Sequence, residues 1–333
     1  MPPEIPKPQE LEEKVFGISN DESFQTIALE VYNFQFHNNI LYRRFSLAMG
    51  KEPSMVRSTG DIPFLPISFF KTHEVRTTAF ETQLIFESSG TTGSVNSKHF
   101  IKKPSLYEKS FLRGFENYFG EPGNFCILGL LPSYLERKNS SLVYMVHELI
   151  KKSGHKKSGF YLNDHEKLKN VLLSLEQEGQ ETILFGVSYA LLDFADDFPM
   201  QLKYTRVVET GGMKGRRKEL TKPELYNALK KGLGIDKVYA EYGMTELLSQ
   251  AYAENGLYTT PPWMKVFMRD ETDPLSYVEN GRPGVMNVID LANLYSCSFI
   301  ATEDAGKYIN GKFEVLGRIN NSDIRGCSLM VAE

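Results

Sequence analysis

Between residues 125 and 241, short apolar runs alternate with segments that carry helix start and stop signals. The apolar runs are residues 125–131, 159–162, 182–187, 204–209 and 237–241, and the helix signals are Ser140 with Gly154, Asp164 with Gly179, and Thr221 with Glu224. Capping residues before a helix and glycines after it are the usual limits of such segments. This alternation predicts a parallel sheet covered by helices on both faces. In such sheets, ligands bind at the carboxyl ends of the strands.

Upstream of this region, the run from Glu87 to Ser94 has the composition of an anion-binding loop. Residues 88–94 carry hydroxyl side chains or, at Gly90 and Gly93, none, and residues 82–86 have the pattern of a strand that leads into the loop. Uncovered N–H groups and hydroxyl donors suit a polyphosphate. No Gly-Lys-Ser/Thr follows, and Thr92 stands where a dinucleotide fingerprint needs glycine. A polar surface linker has the same composition and remains the alternative.

Two further strand ends are suited to a nucleotide. Residues 210–213 place a second glycine pair after a strand. Glycines there would let a ligand approach the backbone closely, and a tight turn before a helix is the alternative interpretation. Residues 242–246 read Tyr-Gly-Met-Thr-Glu and follow the strand 237–241. A hydroxyl beside a carboxylate, here Thr245 and Glu246, suits a phosphate oxygen and its Mg²⁺.

A cationic cluster follows the first glycine-rich loop. It consists of Lys98, His99, Lys102 and Lys103, which are close enough in sequence to reach bound phosphates. Lys98 is a candidate for a phosphate contact, and a solvated cationic face is the alternative.

The segment Gly186-Val187-Ser188-Tyr189-Ala190 imitates the nucleophile elbow of a hydrolase. A strand precedes Ser188 and a helix pattern follows it, as in the α/β-hydrolases, where the catalytic histidine comes after the serine in the chain. All six histidines of this chain precede Ser188. An esterase triad in that order is therefore excluded.

Composition argues against several classes of protein. The 38 Lys and Arg residues and 42 Asp and Glu residues leave a net charge of −4, so no basic field argues for nucleic acid. No apolar run has the length of a membrane span, and the Pro-rich start lacks the apolar segment of a signal peptide, so we expect a cytoplasmic protein. Cys126, Cys297 and Cys327 are few and widely separated, which argues against both a disulfide framework and a zinc site.

Four motifs in order make the chain resemble the acyl-adenylate-forming superfamily. They are Ser88 to Gly93, Tyr242 to Glu246, an acidic turn at Thr302-Glu303-Asp304, and Gly317-Arg318. The resemblance implies an α/β fold, namely the large N-terminal domain of the acyl-adenylate-forming fold with mixed and parallel sheets covered by helices. It also implies ATP and Mg²⁺ as cofactors.

The resemblance further implies roles for individual residues. Thr245 would hold the α-phosphate, Glu246 would bind Mg²⁺, and Tyr242 would stack on adenine. Asp304 and Arg318 would hold the ribose hydroxyls and close over the nucleotide, and the turn at residue 188 would shape the acyl pocket. The nucleotide-binding residues expected on this basis are Ser88, Ser89, Gly90, Thr91, Thr92, Gly93, Lys98, Gly211, Gly212, Met213, Glu241, Tyr242, Gly243, Met244, Asp304 and Arg318.

The chain departs from the superfamily pattern after Arg318. Other members continue into a small mobile domain that bears a catalytic lysine, whereas this sequence reaches only Glu333. We therefore expect an adenylate-forming domain at residues 1–316 and a tail at residues 317–333, without the small domain. The context Arg325-Gly326-Cys327 in that tail resembles the acyl-protein synthetases of bacterial bioluminescence, the long-chain-fatty-acid–luciferin-component ligase or LuxE family. Its members carry the acyl group as a thioester on such a cysteine.

The function favoured by these resemblances is ATP-dependent activation of a carboxylic acid, expected to be a fatty acid, followed by transfer to Cys327. Cys327, Thr245 and Glu246 are the expected catalytic residues, and an acyl-accepting reductase or carrier protein is the expected partner. Two alternatives remain open. One is an acyl-CoA ligase that uses free CoA, and the other is a catalytically inactive nucleotide-binding subunit of a reductase complex.

Overall fold

In a computed structural model of the protein, the described residues are 5–88, 95–131, 139–162, 164–211, 217 and 220–319. The helices are α1 Pro8–Phe16, α2 Asp21–Asn38, α3 Ile40–Ala48, α4 Phe69–Thr72, α5 Pro104–Phe119, α6 Ser141–Ser153, α7 His165–Glu178, α8 Ser188–Asp197 and α9 Lys222–Leu233, with short 3-10 helices at Thr59–Asp61 and Pro122–Asn124. The strands are β1 Leu65–Pro66, β2 Leu84–Glu87, β3 Lys98–Ile101, β4 Cys126–Leu130, β5 Gly159–Phe160, β6 Thr182–Val187, β7 Thr205–Thr210, β8 Tyr239–Tyr242, β9 Ala251–Glu254, β10 Leu257–Thr259, β11 Met264–Arg269, β12 Pro283–Asp290, β13 Phe299–Ile309 and β14 Lys312–Arg318.

The described residues form two compact units. The first takes its residues from Met1–Thr82, His99–Lys102 and Pro262–Glu333, and the second takes them from Gln83–Lys98 and Lys103–Pro261. The length of the chain allowed either one large domain or two smaller ones. Each unit is described below by itself.

The second unit contains the parallel sheet that the alternation of strands and helices predicts. Its strands lie in the order β5, β4, β6, β7 and β8, all parallel. Strand β9 is antiparallel to β8, and β10 is antiparallel to β9. Every residue of β4 and β6 is buried, as expected for strands covered on both faces. The prediction of a parallel sheet is therefore confirmed.

Local capping determines where the helices of the second unit begin and end. The Ser140 hydroxyl accepts a hydrogen bond from a backbone N–H in the first turn of α6, and Gly154 ends that helix with a φ of +62°. The Asp164 carboxylate caps α7 in the same way, and Gly179 ends it with a φ of +65°. A capping box begins α9. These contacts satisfy N–H and C=O groups that a helix end leaves unpaired, so the predicted helix limits are confirmed.

The first unit is organised around antiparallel strands. The strands β11 to β14 lie side by side in sequence order and antiparallel, and β1 pairs in parallel with β13. Aromatic rings from α2, α3 and β13 meet in its core, where Tyr42 stacks on Phe299 at 5.9 Å and contacts Tyr32 edge-on at 6.0 Å. Residues 21–48 form two consecutive helices, α2 and α3. The sheets are thus mixed, as the fold class predicts.

Asp304 lies in a strand, so the expectation of an acidic turn is wrong. It belongs to β13, and the strand continues through Gly306 to Ile309, with a β-bulge between Ala305 and Gly306. Position 306 needs a glycine, because a Cβ there would lie 2.7 Å from a backbone oxygen of β14. Asp304 and Gly306 are therefore residues of a bulged hairpin.

The expected tail begins inside a strand. Gly317 and Arg318 are the last two residues of β14, and residues 320–333 lie outside the described residues. The domain boundary at residue 317 therefore stays a prediction. In the part of the chain that the structure describes, no helix has both the length and the apolar character needed to span a bilayer.

Candidate active site

Parallel pairing brings three strand ends of the second unit to one edge of its sheet. Val187 at the end of β6 is in register with Thr210 at the end of β7, and Thr210 is in register with Glu241 of β8. The residues that follow these strands therefore share the carboxyl edge, where ligands of α/β sheets bind. They are the turn at residue 188, the glycine pair at 211–212, and the segment 243–246.

The glycine-rich loop has a fixed base in the second unit. β2 leads into it, so the predicted strand before the loop is confirmed. The backbone N–H of Ser97 donates to Ser88 Oγ at 2.8 Å, and the N–H of Ser88 donates to the Ser97 carbonyl at 3.1 Å. Ser89, Gly90, Thr91, Thr92 and Gly93 lie outside the described residues. The two ends of the loop are thus held together by two hydrogen bonds.

The second glycine-rich turn follows β7. Gly211 is exposed and has a φ of +77°, a conformation that favours glycine. Gly212 and Met213 lie outside the described residues. The backbone conformation at residue 211 therefore explains why the first residue of this turn is a glycine.

The segment after β8 contains the predicted phosphate and metal residues. Thr245 is partly exposed and Glu246 is buried, and the N–H of Leu247 donates to the Met244 carbonyl at 3.1 Å, which closes a turn over them. Tyr242 ends β8 with its ring buried, and its centroid lies 6.0 Å from that of Tyr258 in an edge-on contact.

Glu241, one residue before Tyr242, is a buried carboxyl group. Thr210 Oγ1 donates to Glu241 Oε2 at 2.5 Å. Burial raises the pKa of Glu241 to about 7, the hydrogen bond from Thr210 opposes this rise, and the nearby carboxylate of Glu209 adds to it. Gly243 packs against this carboxyl, and a Cβ there would lie 2.3 Å from Glu241 Oε1, so a larger residue would force the carboxyl group to move.

Glu209 is a second buried carboxyl group, on the neighbouring strand β7, and it forms a salt bridge with a lysine. Lys222 Nζ, on the first residue of α9, lies 2.6 Å from Glu209 Oε2, and the Ser188 hydroxyl donates to Glu209 Oε1. Ser188 is 1% exposed and follows an extended Val187 with a φ of −73°. The serine is therefore bonded to a carboxylate instead of standing exposed on a strained turn, which agrees with the exclusion of an esterase.

The first unit carries the two predicted ribose residues. Asp304 of β13 is directly opposite Arg318 of β14, and Arg318 Nε lies 3.4 Å from Asp304 Oδ1. The Asp304 side chain is 13% exposed, whereas that of Arg318 is 66% exposed. The structure therefore brings these two residues together, with the guanidinium on the solvent side of the pair.

Comparison with known proteins identifies a family for nearly the whole chain. A family model for the acyl-protein synthetase LuxE matches residues 11–333. The chain belongs to this family. A comparison with proteins of curated function finds no match.

Solved structures resemble this LuxE family member in fold. ATP-bound MatB from Rhodopseudomonas palustris shares 15% identity and a TM-score of 0.55, with 72% of this chain covered. A 2-hydroxyisobutyryl-CoA ligase in complex with 2-HIB-AMP and CoA shares 13% identity and a TM-score of 0.64, over 96% of this chain and 70% of the ligase. A long-chain-fatty-acid-CoA ligase, FadD1 from Archaeoglobus fulgidus, shares 14% identity and a TM-score of 0.50, over 72% of this chain and 52% of that chain. This chain spans 48% of the MatB chain, and these likenesses show the acyl-adenylate-forming fold alone.

The cationic cluster expected after the first loop is not formed as such. His99 is buried, with Nε2 3.1 Å from Asn293 Oδ1, and the Lys102 ammonium lies 4.2 Å from the centroid of the Tyr295 ring. Lys98 remains exposed at the start of β3, 3.9 Å from the carboxylate of Glu87. Of the cluster, Lys98 therefore stays a candidate for a phosphate contact.

The two cysteines that the structure describes are buried. Cys126 lies in β4, and burial raises its pKa to about 11. Cys297 lies between β12 and β13 instead of in a strand, and burial raises its pKa to about 12. Such thiols are poor nucleophiles near neutral pH. Cys327 lies outside the described residues.

Sequence reasoning did not find several buried polar residues of the second unit. They are Tyr107 of α5, Gln250 just before β9, and Tyr252 within β9. The only signal in the sequence was the two-residue spacing of Gln250 and Tyr252, which places both side chains on one face of a strand. Among the described residues, no group of three or more His, Cys, Asp or Glu side chains could hold a metal ion.

Proposed function

We propose that this protein is an ATP-dependent, AMP-forming ligase that activates a carboxylic acid, in the family's terms a fatty acid, and transfers the acyl group to its own Cys327. The observation that carries the proposal is the match of the LuxE acyl-protein synthetase family model to residues 11–333. The fold and the residues at the carboxyl edge of the second unit's sheet support it.

In the first step, a carboxylate oxygen of the acid attacks the α-phosphorus of ATP. An oxygen–phosphorus bond forms, the bond from that phosphorus to the bridging oxygen breaks, and pyrophosphate leaves with acyl-AMP as the product. The Thr245 hydroxyl would hold an α-phosphate oxygen, and the loop at residues 88–93 would donate hydrogen bonds to the phosphates. In the first unit, Asp304 and Arg318 would bind the ribose hydroxyls.

The residues around Glu246 fit Mg²⁺ bound with a nucleotide. Mg²⁺ prefers few protein carboxylates together with substrate phosphates and water, and the described residues provide Glu246 without a cluster of three acidic ligands. When bound there with ATP, Mg²⁺ would neutralise charge that develops on the phosphates. Glu246 would hold it in place.

In the second step, the thiolate of Cys327 attacks the acyl carbon. A carbon–sulfur bond forms, the bond from that carbon to the AMP phosphate oxygen breaks, and AMP leaves. A neighbouring Arg325 would favour the thiolate. An acyl-accepting reductase or carrier protein would then take the acyl group, and the reaction would take place in the cytoplasm.

A CoA ligase is the second candidate. The observation that favours it is the likeness to a 2-hydroxyisobutyryl-CoA ligase solved with both 2-HIB-AMP and CoA. In this case free CoA would replace Cys327 as the acceptor of the acyl group.

Acid-dependent exchange of pyrophosphate into ATP, together with the intact mass of the protein, tests the proposal. Incubation with ATP, Mg²⁺ and a panel of acids should give exchange and a mass increase equal to one acyl group, removed by neutral hydroxylamine. Cys327→Ser should keep the exchange and lose the mass increase, whereas Cys126→Ser serves as the matched control and should keep both. Turnover only when CoA is added would favour the CoA ligase, and a complete lack of exchange with every acid would refute both.

A further inference from the structure

One face of the second unit's sheet carries a layer of buried polar side chains. Thr210, Glu241 and Tyr252 are cross-strand neighbours on β7, β8 and β9, because Thr210 is in register with Glu241 and Glu241 with Tyr252. Gln250 lies two residues before Tyr252 and therefore points to the same face. Tyr107 of α5 interacts with two of them, through a side-chain hydrogen bond with Gln250 and electrostatically with the Glu241 carboxylate. We call these five residues the polar layer.

Two oxygens of the polar layer lack a partner in the described part of the chain. Thr210 donates to Glu241, and Tyr107 Oη donates to the Ser141 carbonyl at 3.1 Å. In contrast, Gln250 Oε1 and Tyr252 Oη are buried without a hydrogen-bond partner among the described residues. Gln250 is 5% exposed and Tyr252 2%. Because buried polar atoms are nearly always bonded, the missing partners point to a polar group from outside the described residues.

The polar layer lies directly next to the turn that would hold the acyl-AMP phosphate. Tyr242 is in register with Ala251, so the next residue of that turn, Gly243, faces Gln250. A Cβ on Gly243 would lie 3.3 Å from the Gln250 side chain and 2.3 Å from that of Glu241. Gly243 is two residues before Thr245. If Thr245 holds the α-phosphate, as in the proposed function on which this step rests, the acyl group attached to that phosphate is adjacent to this layer.

We infer that the acid activated by this protein carries a hydroxyl or ammonium group on its chain, and that Gln250 and Tyr252 recognise that group. The amide oxygen of Gln250 can only accept a hydrogen bond, whereas the Tyr252 hydroxyl can donate or accept one. A hydroxyl or an ammonium on the substrate satisfies Gln250 Oε1, and a hydroxyl is also able to accept a hydrogen bond from Tyr252. A purely hydrocarbon chain would leave both oxygens buried and unbonded, which penalises an analogue that lacks the polar group.

Exchange of pyrophosphate into ATP with pairs of acids of equal chain length tests this inference. The probes are butanoate with 2-, 3- and 4-hydroxybutanoate and 4-aminobutanoate, and dodecanoate with 3-hydroxydodecanoate. For at least one pair, kcat/KM should favour the substituted acid by about tenfold or more. Tyr252→Phe removes only the hydroxyl, and Gln250→Leu only the amide, so both should reduce that preference about tenfold while exchange with the unsubstituted acid persists.

Tyr204→Phe is the matched control, because Tyr204 immediately precedes β7 at the opposite end of the strand from Thr210. It should leave the preference unchanged. Wild-type exchange that favours the substituted acid in none of the pairs, or a preference that neither Tyr252→Phe nor Gln250→Leu alters, overturns this inference while the proposed function stands. A lack of exchange with every acid overturns the proposed function and the inference with it.

Discussion

Replacing Glu241 by glutamine should change how the stability of the protein depends on pH. Burial raises the pKa of Glu241 from its ordinary value of 4.5 to about 7. Between these two values the unfolded chain releases the proton and the folded protein keeps it, so the free energy of unfolding falls as the pH rises. At about 1.4 kcal/mol for each factor of ten, the loss is about 3 kcal/mol in total. It is absent below pH 4.5 and complete above about pH 7.

Glu241→Gln removes this titration and keeps an oxygen that can accept the hydrogen bond from Thr210. The amide also introduces a buried NH₂ group, which costs about 1–3 kcal/mol at every pH if it finds no acceptor. The difference in stability between the variant and the wild type should therefore shift in favour of the variant by about 2–3 kcal/mol from pH 5 to pH 8. This shift, and not the difference at one pH, reports the buried carboxyl.

Urea unfolding followed by circular dichroism at both pH values provides the measurement. Glu271→Gln is the control, because Glu271 is exposed between β11 and β12 and its replacement removes a carboxylate that is not buried. A difference for Glu241→Gln that varies by less than about 0.5 kcal/mol over this range would refute the reasoning, since it would mean that Glu241 titrates alike in the folded and unfolded chain.

Three further changes have expected outcomes at the same edge of the sheet. Glu246→Gln should reduce acid-dependent pyrophosphate exchange at least about a hundredfold at saturating Mg²⁺, because a metal bound with the phosphates loses its charged ligand; exchange at the wild-type rate would contradict the metal role. Gly243→Ala should lower the free energy of unfolding by about 1–3 kcal/mol, since its Cβ would lie 2.3 Å from Glu241 Oε1, and urea unfolding measures this. Lys222→Met should destabilise the protein by about 1–2 kcal/mol because Glu209, which is 1% exposed, loses its cation, and Lys222→Arg should restore most of the loss.

Local signals made much of the second unit predictable from the sequence. The capping residues Ser140 and Asp164 and the glycines at 154 and 179 act within one helical turn, so their effect can be recognised without knowledge of the fold. The parallel sheet is predictable because the alternation of strands and helices can also be read directly from the sequence. Loop sequences at the strand ends then indicate the edge of the sheet at which a ligand would bind.

Cross-strand neighbours could not be predicted, because they depend on register. Glu241 faces Tyr252 and Thr210 only through the pairing of β8 with β9 and β7, and nothing in the sequence fixes that pairing. The superfamily motif predicts a turn at Asp304, whereas long-range pairing of β13 with two neighbours makes the segment a bulged strand. Tertiary context outweighed local propensity at this position.

The two hydrogen bonds between Ser88 and Ser97 have a consequence for engineering. Ser97 contributes only backbone atoms, so other small residues at this position would keep both bonds, whereas Ser88 contributes its hydroxyl and cannot be exchanged freely. With its ends fixed in this way, the segment 89–96 is a natural site for grafting a loop of different length. Doubling the length of a flexible loop costs only about 0.6 kcal/mol in closure entropy, so a graft should disturb folding little.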